Sequence, residues 1–167
     1  DVYPVFRELY ARHFCRLHTM SDETTPNPAL PGLFRAFEDM LQSAQPEVCF
    51  HLLQLGVPAL RLAAPWMIHA FVRHLEVEQV LLLWDRVIGY DSVLPLAIAA
   101  AAVIAFRRDA LLAASSSVEV AEVMQDFSQI QVVPLMQDFL FNDQHTSGDA
   151  SGRGGWMGVG DSGGGSI

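Results

Sequence analysis

The sequence predicts an all-α fold, and three observations carry that prediction. Apolar residues recur at three- and four-residue spacing through most of the first 141 positions, the repeat of a helix with one buried stripe. No segment alternates apolar and polar side chains as a half-buried strand would. Proline and glycine punctuate the periodic segments where helices start and stop. With 167 residues, 51% of them hydrophobic, the chain suits one domain of ordinary size. It can bury about two-thirds of its unfolded surface and needs no metal or disulfide staple.

Taken in order, the first helix is expected over about Val2–Thr19, with Val2, Phe6, Leu9, His13 and Leu17 on one stripe. Glu8 and Arg12 stand four apart on the opposite side as an expected ion pair, with Arg16 one turn beyond. Ser21–Pro28 (SDETTPNP) is a loop by composition. A second helix is expected over Pro31–Ser43, with Leu33, Phe34, Phe37, Met40 and Leu41 inward. A third, Pro46–Leu55, has proline at its start and Gly56 just past its end. Pro58 and Pro65 then divide the chain into a short turn at Ala59–Ala63 and a helix from Pro65 to about Leu75.

The next helix, Glu76–Ile88, is expected to bury Val77, Val80, Leu81, Trp84 and Ile88 and to stop at Gly89. Asp91 or Ser92 caps the following one, Leu94–Arg108, and Pro95 is tolerated in its first turn. That helix (LPLAIAAAAVIAF) is apolar on every side, so neighbours should surround it. Ser115–Ser117 is a polar link to two last helices, Val118–Phe127 and Val133–Phe141, making about eight in all. Composition breaks after Phe141: residues 142–167 hold nine of the twelve glycines, and are expected to form a disordered Gly/Ser-rich tail beyond a 1–141 domain.

Composition excludes several function classes. Disorder of the whole chain is incompatible with ten Phe and three Trp. Two cysteines, Cys15 and Cys49, make no disulfide framework and fit a reducing, cytoplasmic setting. A net charge of −9 opposes nucleic-acid binding, which needs clustered positive charge. All ten basic side chains are arginines. Asp1 is not an initiator methionine, so the chain is expected to be processed or a fragment. No signal peptide is expected at its start, because Arg7, Arg12 and Arg16 interrupt the apolar pattern. The most apolar run, Val93–Phe106, falls short of the roughly 20 residues a membrane span needs.

Chemistry is sparse. G-x-S-x-G is absent. G-x-G-x-x-G occurs at Gly158, Gly160 and Gly163, but with neither the preceding strand nor the following helix that a dinucleotide site requires. His13, Cys15 and His18 cluster without the second ligand pair a structural zinc needs, so no metal or other cofactor is expected. His69 and His74 lie five apart, on different faces of one helix. Glu76 with Glu78, and Glu119 with Glu122, sit at helix starts where the dipole favours negative charge. What stands out is Leu81-Leu-Leu-Trp84-Asp85-Arg86 ahead of Gly89-Tyr90: an anchoring indole, with a carboxylate and a guanidinium at the edge of the core.

In context that segment resembles the TBC (Tre-2/Bub2/Cdc16) domain of Rab GTPase-activating proteins. Pro46 followed by His51-Leu52 is similar to the family's P-x-L-x-x-H-L helix. Gly56-Val-Pro58, then Trp66 and Phe71, resembles its G-v…W-l-x-x-l-F segment. Leu75 through Trp84-Asp85 resembles its L-p-l-x-x-v-L-x-l-W-D helix. Trp84-Asp85-Arg86, Gly89-Tyr90 and the alanine-rich helix ending Phe106-Arg107 are similar to one branch of it. The likeness covers residues 1–141.

The resemblance implies the C-terminal lobe of a two-lobed helical domain that binds a GTP-bound Rab-family GTPase between its lobes. In the family an arginine finger stabilises transition-state charge and a glutamine positions the attacking water; such a finger is worth about 10³–10⁵ in rate. Those residues lie in I-x-x-D-x-x-R and Y-x-Q, and neither motif occurs here. No catalytic residue is therefore assigned to this chain, and the N-terminal lobe becomes an expected partner. Arg7, Arg12 and Arg16 are the candidate partner contacts, with Trp66, Trp84, Asp85 and Arg86 as the structural motif. The alternatives are a non-catalytic Rab effector and a helical scaffold. Tyr3, Phe6, Tyr10 and Phe14 form an expected apolar patch, through which the isolated lobe would self-associate.

Overall fold

The computed structural model describes residues 2–18 and 29–141, and among them all regular structure is helical. The elements are α1 (Val2–Leu9), a π-helical turn (Tyr10–Phe14), α2 (Cys15–His18), α3 (Ala29–Ala44), α4 (Pro46–Gln54) and α5 (Ala59–Ile68). They continue with α6 (Val77–Gly89), α7 (Leu94–Phe106), α8 (Arg108–Ala113), α9 (Ser117–Val123) and α10 (Val132–Phe141). The loop expected at Ser21–Pro28 and the tail from residue 142 lie outside the described residues.

The alanine-rich helix α7 is the hub. Its alanines 97 and 99–102, with Leu96, Val103 and Ile104, are buried, and α3, α10, α6 and α5 pack around it. Alanine makes that possible: it loses no rotamer entropy on burial and lets helix backbones approach closely. The start of α7 is held by the Ser92 hydroxyl, which accepts from the Leu94 amide at 3.1 Å. From α3, the fully buried Phe37 and Leu41 belong to the same core, as do Val48 and Leu52 from α4. No single helix among the described residues is long and apolar enough to cross a membrane, and α4 and α5 meet at a bend of 105°.

Several expectations are corrected. The first helical segment is interrupted by the π turn, which shifts its register: Phe14 is buried beside His13 and Leu17, while Phe6 is 49% exposed. Pro65 lies inside α5, and the helix runs on only to Ile68. Proline removes one late backbone bond there, while burial of Ala63, Trp66 and Met67 keeps the helical path. Helix α6 is rotated from its expected face. Val80, Leu83 and Val87 are buried, whereas Val77, Leu81 and Ile88 are 72%, 54% and 52% exposed. Both sets have helical spacing, and packing on α7 and α10 selects one of them.

Helix ends differ as well. Gly89 is the last residue of α6, and Asp91, not glycine, takes the left-handed position at φ +49°. The Ser92 amide reaches the Val87 carbonyl and the Asp91 amide the Ile88 carbonyl, both at 3.1 Å, which closes a Schellman motif. After α4 the expected Gly56 does serve, at φ +73°, with the Val57 amide on the Leu52 carbonyl at 3.0 Å. The alanine-rich helix stops at Phe106, and α8 follows where no helix was expected. Helix α9 ends at Val123 rather than near Phe127. Ser116 caps it by accepting from the Glu119 amide, while Glu119 reaches back to the Ser115 amide at 2.8 Å.

Candidate functional site

An apolar groove of about 420 Å³ opens between the first helical segment and the stretch that follows α5. Phe6, Tyr10, Phe14 and His18 form one wall. Pro65, Ile68 and Val72 line the other, carrying His69, Arg73 and His74, and Trp84 of α6 also lines it. The first wall is aligned by ring contacts. Tyr10 stacks on Phe6 at 6.2 Å and on His18 at 5.9 Å, and Phe14 meets Trp84 at 5.1 Å.

Both walls have unusual backbone. The π turn Tyr10–Phe14 lies in the first wall; such turns recur at functional sites. In the second, Ala70, Phe71 and Arg73 hold φ +47°, +63° and +73°, a left-handed conformation that costs a non-glycine residue about 1–2 kcal/mol. The turn is set by hydrogen bonds. The Phe71 amide donates to the Trp66 carbonyl at 2.7 Å and the Ala70 amide to Met67 at 3.1 Å, while the Trp84 indole N–H holds the Ala70 carbonyl at 3.1 Å. Trp66 is buried beneath, edge-on to Phe127 at 5.3 Å. His74 lies against the same two rings. Burial there, and secondarily the charge of His69, lower its pKa from the ordinary histidine value.

The three candidate arginines are not equivalent. Arg12 grips Asp91 with two parallel 3.0 Å bonds, so the expected Glu8–Arg12 pair is replaced, and Glu8 takes Arg7 at 3.0 Å. A contact across 79 residues wins because Asp91, at the left-handed end of α6, presents both oxygens to the guanidinium. The Arg12 hydrogen bond and then its charge hold the Asp91 carboxyl below its usual range, with smaller help from His13 and Arg16. The buried His13 ring places Nδ1 3.8 Å from the same carboxylate. In the W-D-R motif, Trp84 is half-buried, Asp85 is exposed and Arg86 turns back onto the Leu82 carbonyl. Phe14 is buried and drops out of the expected apolar patch; Tyr3, Phe6 and Tyr10 remain exposed.

Sequence reasoning missed the convergence of His18, His69 and His74, which depends on the chain doubling back at Ala70. Nothing local signals a left-handed alanine. Among the described residues no group of three His, Cys, Asp or Glu side chains is placed to hold a metal ion.

Comparison with known proteins gives a consistent set of relatives. A family model described as the Rab-GTPase-TBC domain matches residues 1–112. TBC1 domain family member 19 of Homo sapiens is 41% identical over 140 residues, 84% of this chain and 26% of that protein. TBC domain-containing protein kinase-like protein of Dictyostelium discoideum is 31% identical over 79 residues, 47% of this chain and 8% of that protein. The chain thus spans about a quarter of the first relative's length and less of the second's. No solved structure matches it significantly.

Proposed function

The chain belongs to the Rab-GTPase-TBC domain family, and from that membership we propose that it is the C-terminal lobe of a Rab GTPase-activating domain. Residues 1–141 form this lobe, and it contributes part of the surface that binds a GTP-bound Rab-family GTPase. The arginine and glutamine that drive hydrolysis in the family lie outside these residues. The observation that carries this reading is the coexistence of the ordered family segments from Pro46 to Asp85 with the absence of both I-x-x-D-x-x-R and Y-x-Q.

Arg7, Arg12 and Arg16 lie on the first helical segment, the nearest in sequence to where the missing motifs belong. All three are exposed. Arg12 is held by Asp91 and so orients the segment, Arg7 lies against Glu8, and the three arginines together are the candidate contacts with the GTPase. The setting that fits is cytoplasmic, at membranes only through the bound Rab.

The test uses immobilised Rab GTPases loaded with a non-hydrolysable GTP analogue or with GDP, and reads binding of the chain together with single-turnover GTP hydrolysis. The expected result is GTP-dependent binding with an unchanged hydrolysis rate. Acceleration of hydrolysis by this chain alone would overturn the placement of the catalytic pair. Failure to bind any Rab would leave a helical scaffold as the better reading.

A further inference from the structure

We propose that the groove between the first helical segment and the turn at residues 69–74 is a docking site for an acidic segment of a protein partner, anchored by an aromatic or bulky aliphatic side chain. The charge of the groove carries the inference. The chain has 19 acidic residues and a net charge of −9, yet none of them lines this groove. Its charged or protonatable side chains are Arg73 and three histidines, His18, His69 and His74, and the rest of the lining is overwhelmingly apolar. An apolar trough with a cationic edge favours partners of opposite charge.

The shape supports a peptide rather than a flat surface. Phe6, Tyr10 and Trp84 offer ring faces and edges in a concave site, the arrangement that accepts a large apolar anchor. The wall bearing Arg73 is held by three strained residues in four, so the protein maintains this turn at an energetic cost. Nothing in this inference requires the partner to be a GTPase.

Selection of the full chain against a random twelve-residue peptide library tests it. The expected consensus has an aromatic or leucine residue flanked by aspartate or glutamate. A synthetic copy of the strongest peptide should bind about five-fold more weakly to Arg73→Asn. Asparagine accepts the left-handed backbone, so that variant should keep its unfolding midpoint, which separates lost charge from lost fold. Binding should weaken with added salt. An empty selection, a neutral or basic consensus, or equal binding by Arg73→Asn would each overturn the proposal. A dimer that Arg73→Asn dissolves would assign the groove to a second copy. Displacement of the peptide by phosphatidylserine vesicles would assign it to a membrane surface.

Discussion

At the residue scale, Trp84 joins the family motif to the groove. Its indole donates to the Ala70 carbonyl and its ring meets Phe14. Trp84→Phe keeps most of the ring and deletes the bond, leaving a carbonyl without its donor; the expected loss is about 1 kcal/mol. Trp84→Ala should cost about 3 kcal/mol, the lower end of the range for aromatic truncation, because the ring is half-buried. Urea midpoints at unchanged m-value measure both, and near-neutral effects would remove Trp84 from the packing. His74 supplies a pH test. Its folded-state pKa lies below the ordinary value of 6.5 through burial and the nearby His69, so between the two the unfolded chain binds more protons. Stability from this group is complete above about pH 6.5 and is lost as pH falls through the folded value. His74→Phe, which suits the surrounding Trp66 and Phe127 rings, should flatten that part of the stability profile; an unchanged slope would refute the assignment.

At the element scale, helix ends separate what can be read locally from what cannot. Gly56 is legible because a glycine one residue past an apolar run is the usual left-handed stop, and no atom lies within 4 Å of where its Cβ would be. Gly56→Ala should therefore cost about 1 kcal/mol through backbone conformation alone. Ala70→Gly reverses that logic at φ +47°. Relief of the left-handed strain exceeds the entropy a glycine adds to the unfolded chain, and a gain of about 0.5–1 kcal/mol is expected. Thermal or urea unfolding of the pair should give shifts of opposite sign. Asp91, Ala70 and Phe71 take left-handed conformations that no sequence rule assigns to them, because long-range contacts decide: Arg12 for Asp91, and the Trp84 indole for Ala70. The exposed face of α6 was hidden for a related reason, since its sequence carries two apolar stripes and only packing on α7 and α10 chooses between them. By contrast α7, apolar all round, admits no such ambiguity, and its burial was readable at once. Of the candidate site, the sequence exposed the tryptophans and arginines but not the groove, because one wall comes from residues 6–18 and the other from residues 65–84.

At the scale of the whole molecule, two opposing terms govern association. Each copy carries a net charge of −9, which repels other copies at low ionic strength. Against this, α6 leaves Val77, Leu81 and Ile88 exposed at helical spacing, and exposed apolar side chains on one stripe favour contact between molecules. Salt screens the first term, with a Debye length near 10 Å at 0.1 M, and scarcely weakens the second. Self-association should therefore rise with both protein and salt concentration, the reverse of what a salt-bridged interface would do. Sedimentation velocity at about 0.05 and 0.5 M sodium chloride measures it. Leu81→Glu, at an exposed position that leaves the core untouched, should restore the monomer, whereas Arg73→Asn should have no effect because the groove is not the contact. A monomer at high salt and high protein concentration would mean that the α6 stripe is too narrow or too curved to bury against a copy of itself. Association abolished by Arg73→Asn instead would move the contact to the groove and place the two surfaces in competition.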